Sequence, residues 1–159
     1  MGNVSPVTVD TLYAARHIAL KSGLPISTPA YGVNRLCGSG IQAIVDAANM
    51  IRRGDANAVI AAGTENMSMT PHLVYGSRFG TRFGPLKTVD MLMDSLTDSY
   101  VNCPMAVTAE NLAKQFQISR EECDQFALRS HHLASKAHKD GHFKGELITV
   151  ALKKGELGN

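Results

Sequence analysis

The chain has 159 residues, 44% of them hydrophobic and 19% charged, with a net charge of +2. That composition reads as one modest globular domain rather than a disordered chain, and so small a charge gives no case for a nucleic-acid partner. The apolar runs are broken by Gly, Asn or Arg before they could span a bilayer, so no membrane partner is expected, and the opening MGNVSPVTVD lacks the basic and apolar blocks of a secretory leader. Its Met-Gly-Asn start resembles a myristoylation signal, but Pro6 stands where Ser or Thr is required.

In chain order, apolar residues at Val9, Leu12, Ala15, Ile18 and Ala19 predict a helix over 9–21, capped by Asp10 or Thr11 and stopped at Gly23. Pro25 and Pro29 mark a loop, and residues 30–36 (AYGVNRL) a short strand. Ile41, Ile44, Val45, Ala48 and Ile51 form the apolar face of a second helix, which ends at Arg52-Arg53-Gly54 with cations in the last turn and Gly beyond it. Residues 57–62 (NAVIAA) are almost continuously apolar and suit a strand buried on both faces. Strand, helix and strand within roughly 33 residues predict a right-handed parallel βαβ unit.

Residues 64–106 hold five of the seven methionines and show no clear period. An irregular excursion of this length is expected to be a lid or binding loop. Helices return over 108–116 and after Ser119-Arg120-Glu121-Glu122, a capping box. The second of these carries Cys123, Phe126, Ala127, Ser130, Ala134 and Ala137 on one stripe and closes at Asp140-Gly141. Residues 146–152 predict a strand and 153–159 a polar turn. Two convincing strands cannot cover their own faces and edges, so this α/β chain reads as part of a larger domain.

Three cysteines, Cys37, Cys103 and Cys123, lack metal-ligand spacing, and the odd count argues against a disulfide framework and for a reducing compartment. His131 and His138 share a helix face roughly 10 Å apart, too far for a common metal. Cys37 is different in its surroundings. It stands before Gly38, Ser39 and Gly40 where a strand is expected to become a helix. Unpaired N–H groups at a helix start favour an anionic sulfur, and the glycines let the chain turn sharply and a substrate approach. The Cys37 N–H itself could donate to an oxyanion. The arrangement is an analogue of the nucleophile elbow. Simple core packing is the alternative for a free cysteine.

Asn34-Arg35-Leu36-Cys37-Gly38-Ser39-Gly40, followed by Gln42-Ala43, resembles the nucleophile motif of the thiolases, the acetyl-CoA and 3-ketoacyl-CoA acyltransferases. The resemblance continues in register through Ala15-Arg16, Gly23-Leu24-Pro25, Pro29-Ala30 and Ala62-Gly63-Thr64-Glu65-Asn66-Met67-Ser68. It runs on through Leu96-Thr97-Asp98, Met105, Thr108-Ala109-Glu110-Asn111, Ile118-Ser119-Arg120-Glu121-Glu122 and Asp140-Gly141-His142-Phe143.

The resemblance implies a partial thiolase-like α/β fold, incomplete relative to the family: a βαβ unit of the N-terminal half in residues 1–65, then a helical loop domain in 66–159 that in the family carries coenzyme A. Residues 1–4 would match the end of the family's second strand. Cys37 would be the acyl-thioester nucleophile. Leu96 and Met105 would line the coenzyme A and acyl site, although ordinary loop packing explains them equally. Pro104, where short-chain members often have His, would suit a wider chain-length range. Glu65 would brace the nucleophile region or serve structure alone. Coenzyme A and acyl-CoA are then substrates, with no permanently bound cofactor and no metal.

The family's G-H-P, C-x-G and N-E-A-F motifs, which supply the base, the second cysteine and an oxyanion contact, do not occur in the sequence. Thiolysis or Claisen condensation by this chain alone is therefore expected to be weak or partner-dependent. A homodimer or tetramer, or a complementary chain supplying the missing half, is expected, with residues 30–34 as an association edge. Arg78, Phe79, Arg82 and Phe83 suit an oligomer contact, with a coenzyme A phosphate as the alternative. A non-catalytic association module is the rival reading. A ketoacyl synthase is disfavoured by the T-A-E-N and I-S-R-E-E stretches. The compartment would be the cytoplasm, or the mitochondrial matrix or peroxisome in a eukaryote.

Overall fold

Backbone donors and acceptors at the start of the chain decide what lies beside them. The computed structural model describes residues 1–81 and 83–150 and divides into two units, Met1–Pro104 and Met105–Asn159. In the first unit, residues 1–3 run between two later segments. Gly2 N–H donates to Ala62 O at 2.8 Å and Thr64 N–H to Gly2 O at 3.1 Å. On the other side, Val33 N–H donates to Met1 O at 2.9 Å and Asn3 N–H to Val33 O at 3.2 Å. Gly2 is thus bridged in parallel to both Val33 and Gly63.

The N-terminal segment lies between the two extended segments of the expected βαβ unit. The two segments flanking the second helix are not neighbours, because the N-terminal segment satisfies the facing backbone groups of both. Residues 57–62 do not form a strand buried on both faces. Their bonding is confined to the far end, and Ile60 is 76% exposed.

A turn of 3-10 helix, Val9–Tyr13, leads into α1 (Ala14–Lys21). Thr8, not Asp10 or Thr11, holds the cap position, and Thr11 Oγ1 accepts the Thr8 N–H at 3.2 Å. Gly23 ends the helix with φ +84°. The Arg16 guanidinium donates to the carbonyls of Ile26 and Thr28, tying the following loop to α1.

Helix α2 (Ser39–Arg53) stops at Gly54 in the left-handed conformation, as the sequence predicts. Its buried stripe, however, is Ser39, Ala43 and Ala47, while Ile41, Ile44, Val45 and Ile51 are exposed. The physical reason lies at Gly2, where an added Cβ would stand 2.6 Å from the carbonyl carbon and oxygen of Ser39. Backbone meets backbone here, so the helix turns its small side chains inward and leaves the bulky apolar face open. Ala19, Ala43 and Ala47, with Gly2, Ser5 and Ser39, are the buried residues among those described.

The stretch expected to be irregular contains short regular pieces. Strand β1 (His72–Val74) pairs antiparallel with β2 (Thr88–Asp90), His72 opposite Asp90. Asp90 then caps α3 (Met91–Ser95), its carboxylate accepting the N–H groups of Leu92 and Met93 at 2.9 and 3.4 Å. Strand β3 (Thr97–Asp98) pairs with β4 (Cys103–Pro104), Thr97 opposite Pro104. Pieces of two or three residues are too short to show a period. Phe79 and Phe83 are fully open to solvent; Arg82 lies outside the described residues.

In the second unit, α4 (Met105–Phe116) begins three residues before the expected position. Helix α5 (Arg120–Lys139) carries the anticipated capping box, with Ser119 N–H donating to Glu122 Oε2 at 2.8 Å and Glu122 N–H to Ser119 Oγ at 3.1 Å. No residue of α5 is buried, so its predicted apolar stripe is uncovered within this unit. Gly141 closes the helix with φ +75°, and the ring of His138 rests 5.0 Å from that of Phe143. The strand expected over 146–152 is absent from its described part, where Glu146 and Leu147 donate to Phe143 O in a turn. Residues 151 and 152, and the polar turn expected over 153–159, lie outside the described residues.

Replacing Gly2 by Val is expected to lower the free energy of unfolding by about 1–3 kcal/mol, read by chemical denaturation, because the clash is with backbone that cannot step aside; an unchanged midpoint would contradict the close approach. A second expectation concerns pH. The backbone N–H of Ser119, and secondarily its hydroxyl, hold the Glu122 carboxyl below the usual glutamate range. A depressed folded value means the contribution is present above the ordinary glutamate range and lost as pH falls through the folded value. The protection factor of the Ser119 amide should therefore fall on acidification below that range, and Glu122→Gln should abolish this pH dependence.

Candidate functional site

The turn over residues 34–39 is built almost wholly from its own side chains. Asn34 reaches both ways: its Nδ2 donates to Val4 O at 3.0 Å, and its Oδ1 accepts the Leu36 N–H at 3.0 Å. Ser39, only 4% exposed, receives the Arg35 N–H on its Oγ at 2.9 Å and donates that hydroxyl to Leu36 O at 2.6 Å. Gly38 N–H and Ser39 N–H donate to Arg35 O and Leu36 O at 3.1 and 2.9 Å. These bonds hold Leu36 at φ +49°, a left-handed conformation that a branched side chain rarely takes.

Cys37 follows this strained residue directly. It is exposed, carries no disulfide, and sits two residues ahead of the first residue of α2. The cysteine thus lies next to the N-terminal end of a 15-residue helix, where orphan N–H groups and the positive dipole end favour an anion. A Cβ added at Gly40 would meet nothing within 4 Å, so there is open space beside the helix start. The arrangement can present a sulfur nucleophile to an incoming electrophile. Within the first unit, neither His17 nor His72 is hydrogen-bonded to Cys37, and the Cys37 N–H finds no acceptor among the described residues.

The support behind this turn was only partly anticipated. Glu65 braces the N-terminal segment rather than the cysteine: its carboxylate accepts the N–H groups of Val4 and Ser5 at 2.9 and 3.0 Å and Asn3 Nδ2 at 3.3 Å. Asn34 carries that anchorage to the turn. Arg35 extends along α2, donating to Gln42 Oε1 at 3.0 Å, and Gln42 donates to Asp46 at 2.7 Å. The roles of Asn34 and Ser39 were not read from the sequence, although both lie inside the motif; a polar residue flanking a Gly-rich turn was the available signal.

Leu96 closes α3 just before β3, and Met105 opens α4 just after β4; each is partly exposed. No hydrogen bond joins Leu96 to the Cys37 turn among the described residues. Cys123 is exposed on α5, and Cys103 lies partly covered in β4.

The sequence matches the family described as "Thiolase, N-terminal domain" over residues 1–158. It is 48% identical to the 3-ketoacyl-CoA thiolase, mitochondrial, of Homo sapiens over 159 residues, covering 98% of this chain and 40% of that protein. It is 44% identical to the beta-ketothiolase BktB of Cupriavidus necator, covering 99% of this chain and 40% of that protein. Its fold superposes on the crystal structure of human mitochondrial 3-ketoacyl-CoA thiolase in complex with CoA with a TM-score of 0.91 at 47% identity, over 97% of this chain and 39% of that one. For the Bacillus anthracis acetyl-CoA acetyltransferase the TM-score is 0.86 at 36% identity. The chain thus spans about 40% of the length of the curated relatives it matches.

Asn34→Asp keeps the acceptor for Leu36 N–H and loses the donor to Val4 O. It is expected to speed hydrogen exchange at residues 3–5 and 36–38 while leaving the middle of α2 protected; unchanged exchange at 36–38 would show that Asn34 does not tie the turn to the N-terminal segment.

Proposed function

Because this chain belongs to the thiolase family and has a partial α/β thiolase-like fold corresponding to its N-terminal domain, we propose that it carries the nucleophile of a thiolase-type acyltransferase acting on 3-ketoacyl-CoA and coenzyme A. The observation that carries the reading is the exposed Cys37 on a strained turn at the start of α2. In thiolysis, the Cys37 thiolate adds to the 3-keto carbon and forms a C–S bond, and the carbonyl pair moves onto oxygen. The bond between carbons 2 and 3 then breaks, and the two-carbon fragment takes a proton and leaves as acetyl-CoA. The thiol of a second coenzyme A gives up its proton and attacks the acyl-thioester, releasing the shortened acyl-CoA and the thiolate. Claisen condensation is the reverse. The free Cys37 N–H is the donor best placed for the oxyanion of these steps.

The protons need an acid and a base, and within the first unit neither His17 nor His72 is bonded to Cys37, so this chain contributes the nucleophile while efficient turnover depends on further groups. Leu96 and Met105 are the candidates for the coenzyme A and acyl site, with residues 1–65 as the α/β half and 66–159 as the loop domain. The exposed apolar side chains of α2 favour association, as a homodimer or tetramer or with a complementary chain. Relatives designated mitochondrial favour the matrix where the host is eukaryotic.

Brief treatment with limiting iodoacetamide near neutral pH, followed by peptide mass mapping, tests the assignment. Cys37 should be labelled about tenfold faster than Cys123, which is exposed too and so controls for access. Incubation with a 3-ketoacyl-CoA should add the acyl mass to the Cys37 peptide. Equal, slow labelling of all three cysteines would favour a non-catalytic association module.

A further inference from the structure

We propose that Ser39 is a positioning residue for acyl transfer: it locks the peptide plane between Leu36 and Cys37 so that the Cys37 N–H is left to face the developing oxyanion. The proposal rests on the reading of Cys37 as nucleophile. Ser39 grips one carbonyl twice, since its hydroxyl and its own N–H both donate to Leu36 O, at 2.6 and 2.9 Å. The same hydroxyl oxygen accepts the Arg35 N–H at 2.9 Å, which fixes the direction of its proton toward Leu36 O.

The peptide bond that follows Leu36 is trans, so its C=O and N–H point in opposite directions. Drawing Leu36 O toward the helix start therefore turns the Cys37 N–H away from it. The other amides of residues 35–39 are engaged: Arg35 N–H on Ser39 Oγ, Leu36 N–H on Asn34 Oδ1, Gly38 N–H on Arg35 O, and Ser39 N–H on Leu36 O. Within residues 35–39, the Cys37 N–H alone has no acceptor among the described residues. The left-handed φ of Leu36 is what this arrangement requires of the backbone, and a leucine does not take it unaided. Ser39 is nearly sealed from solvent, so water does not compete for its hydroxyl. No proton moves through Ser39. When the sulfur bonds to a carbonyl carbon, the displaced electron pair resides on oxygen and accepts the Cys37 N–H.

Alkylation and acylation of Cys37 separate this role from a merely structural one, because displacement of iodide creates no oxyanion whereas attack on an ester does. In the full chain, Ser39→Ala should slow acylation of Cys37 by p-nitrophenyl acetate by about tenfold or more. Labelling by iodoacetamide should change by no more than about threefold, within the non-additive scatter of neighbouring groups. Adding Leu36→Gly, which takes a positive φ without strain, should restore part of the acylation rate. Equal loss of both reactions, or loss of neither, overturns the proposal. If Ser39→Ala does not fold, amide exchange in the unmodified chain decides: Arg35 and Leu36 should be protected and Cys37 should exchange freely, and a protected Cys37 amide overturns the proposal. If Cys37 of the unmodified chain reacts no faster than Cys123, the nucleophile assignment fails instead, and the exchange pattern still judges the Ser39 lock by itself.

Discussion

The contact between Gly2 and the backbone at the start of α2 is the constraint on which the first unit depends. With no side chain at position 2, the N-terminal segment lies against Ser39 and Gly40 so closely that a methyl group would have no room. That approach puts residues 1–3 where their donors and acceptors can serve Val33 on one side and Ala62 and Thr64 on the other. It also decides which face of α2 turns inward. A helix held this close can bury serine and alanine but not isoleucine, so the bulky stripe is left outside.

The same contact supports the cysteine turn. The segment that touches Ser39 is held from behind by the Glu65 carboxylate on the Val4 and Ser5 amides, and it is joined to the cysteine turn by Asn34. Ser39 is therefore both a packing residue against Gly2 and a hydrogen-bonding residue within the turn. A strained left-handed residue persists only when several bonds over-determine it. Here those bonds come from Asn34 and Ser39, on either side of Leu36 and Cys37. The stabilisation of the turn and the presentation of the sulfur are one arrangement.

The apolar surface is distributed unevenly. Ile41, Ile44, Val45 and Ile51 on α2 and Phe126, Leu128 and Leu133 on α5 are exposed, while the buried apolar residues among those described are alanines. Alanines alone supply little burial free energy.

Local signals were legible from the sequence because their physics is local. The cap of α5 at Ser119 and Glu122, the stops at Gly23, Gly54 and Gly141, and the break at residue 37 just before a helix each depend on residues within one turn of each other. The motif around Cys37 likewise pointed to an exposed thiol at a helix start, which is where it stands. Pairing and burial were not legible. That residues 1–3 separate the segments around Val33 and Gly63 depends on contacts about 30 and 60 positions apart, which no periodicity records. The apolar stripe on α2 stays exposed and the opposite face is buried, because backbone approach at Gly2 outranks side-chain hydrophobicity where no room exists. The sequence by itself determined where helices begin and end and which sulfur leads one of them; only the folded chain decided which surfaces meet, since that is settled by the space between distant backbones rather than by the order of residues along any one of them.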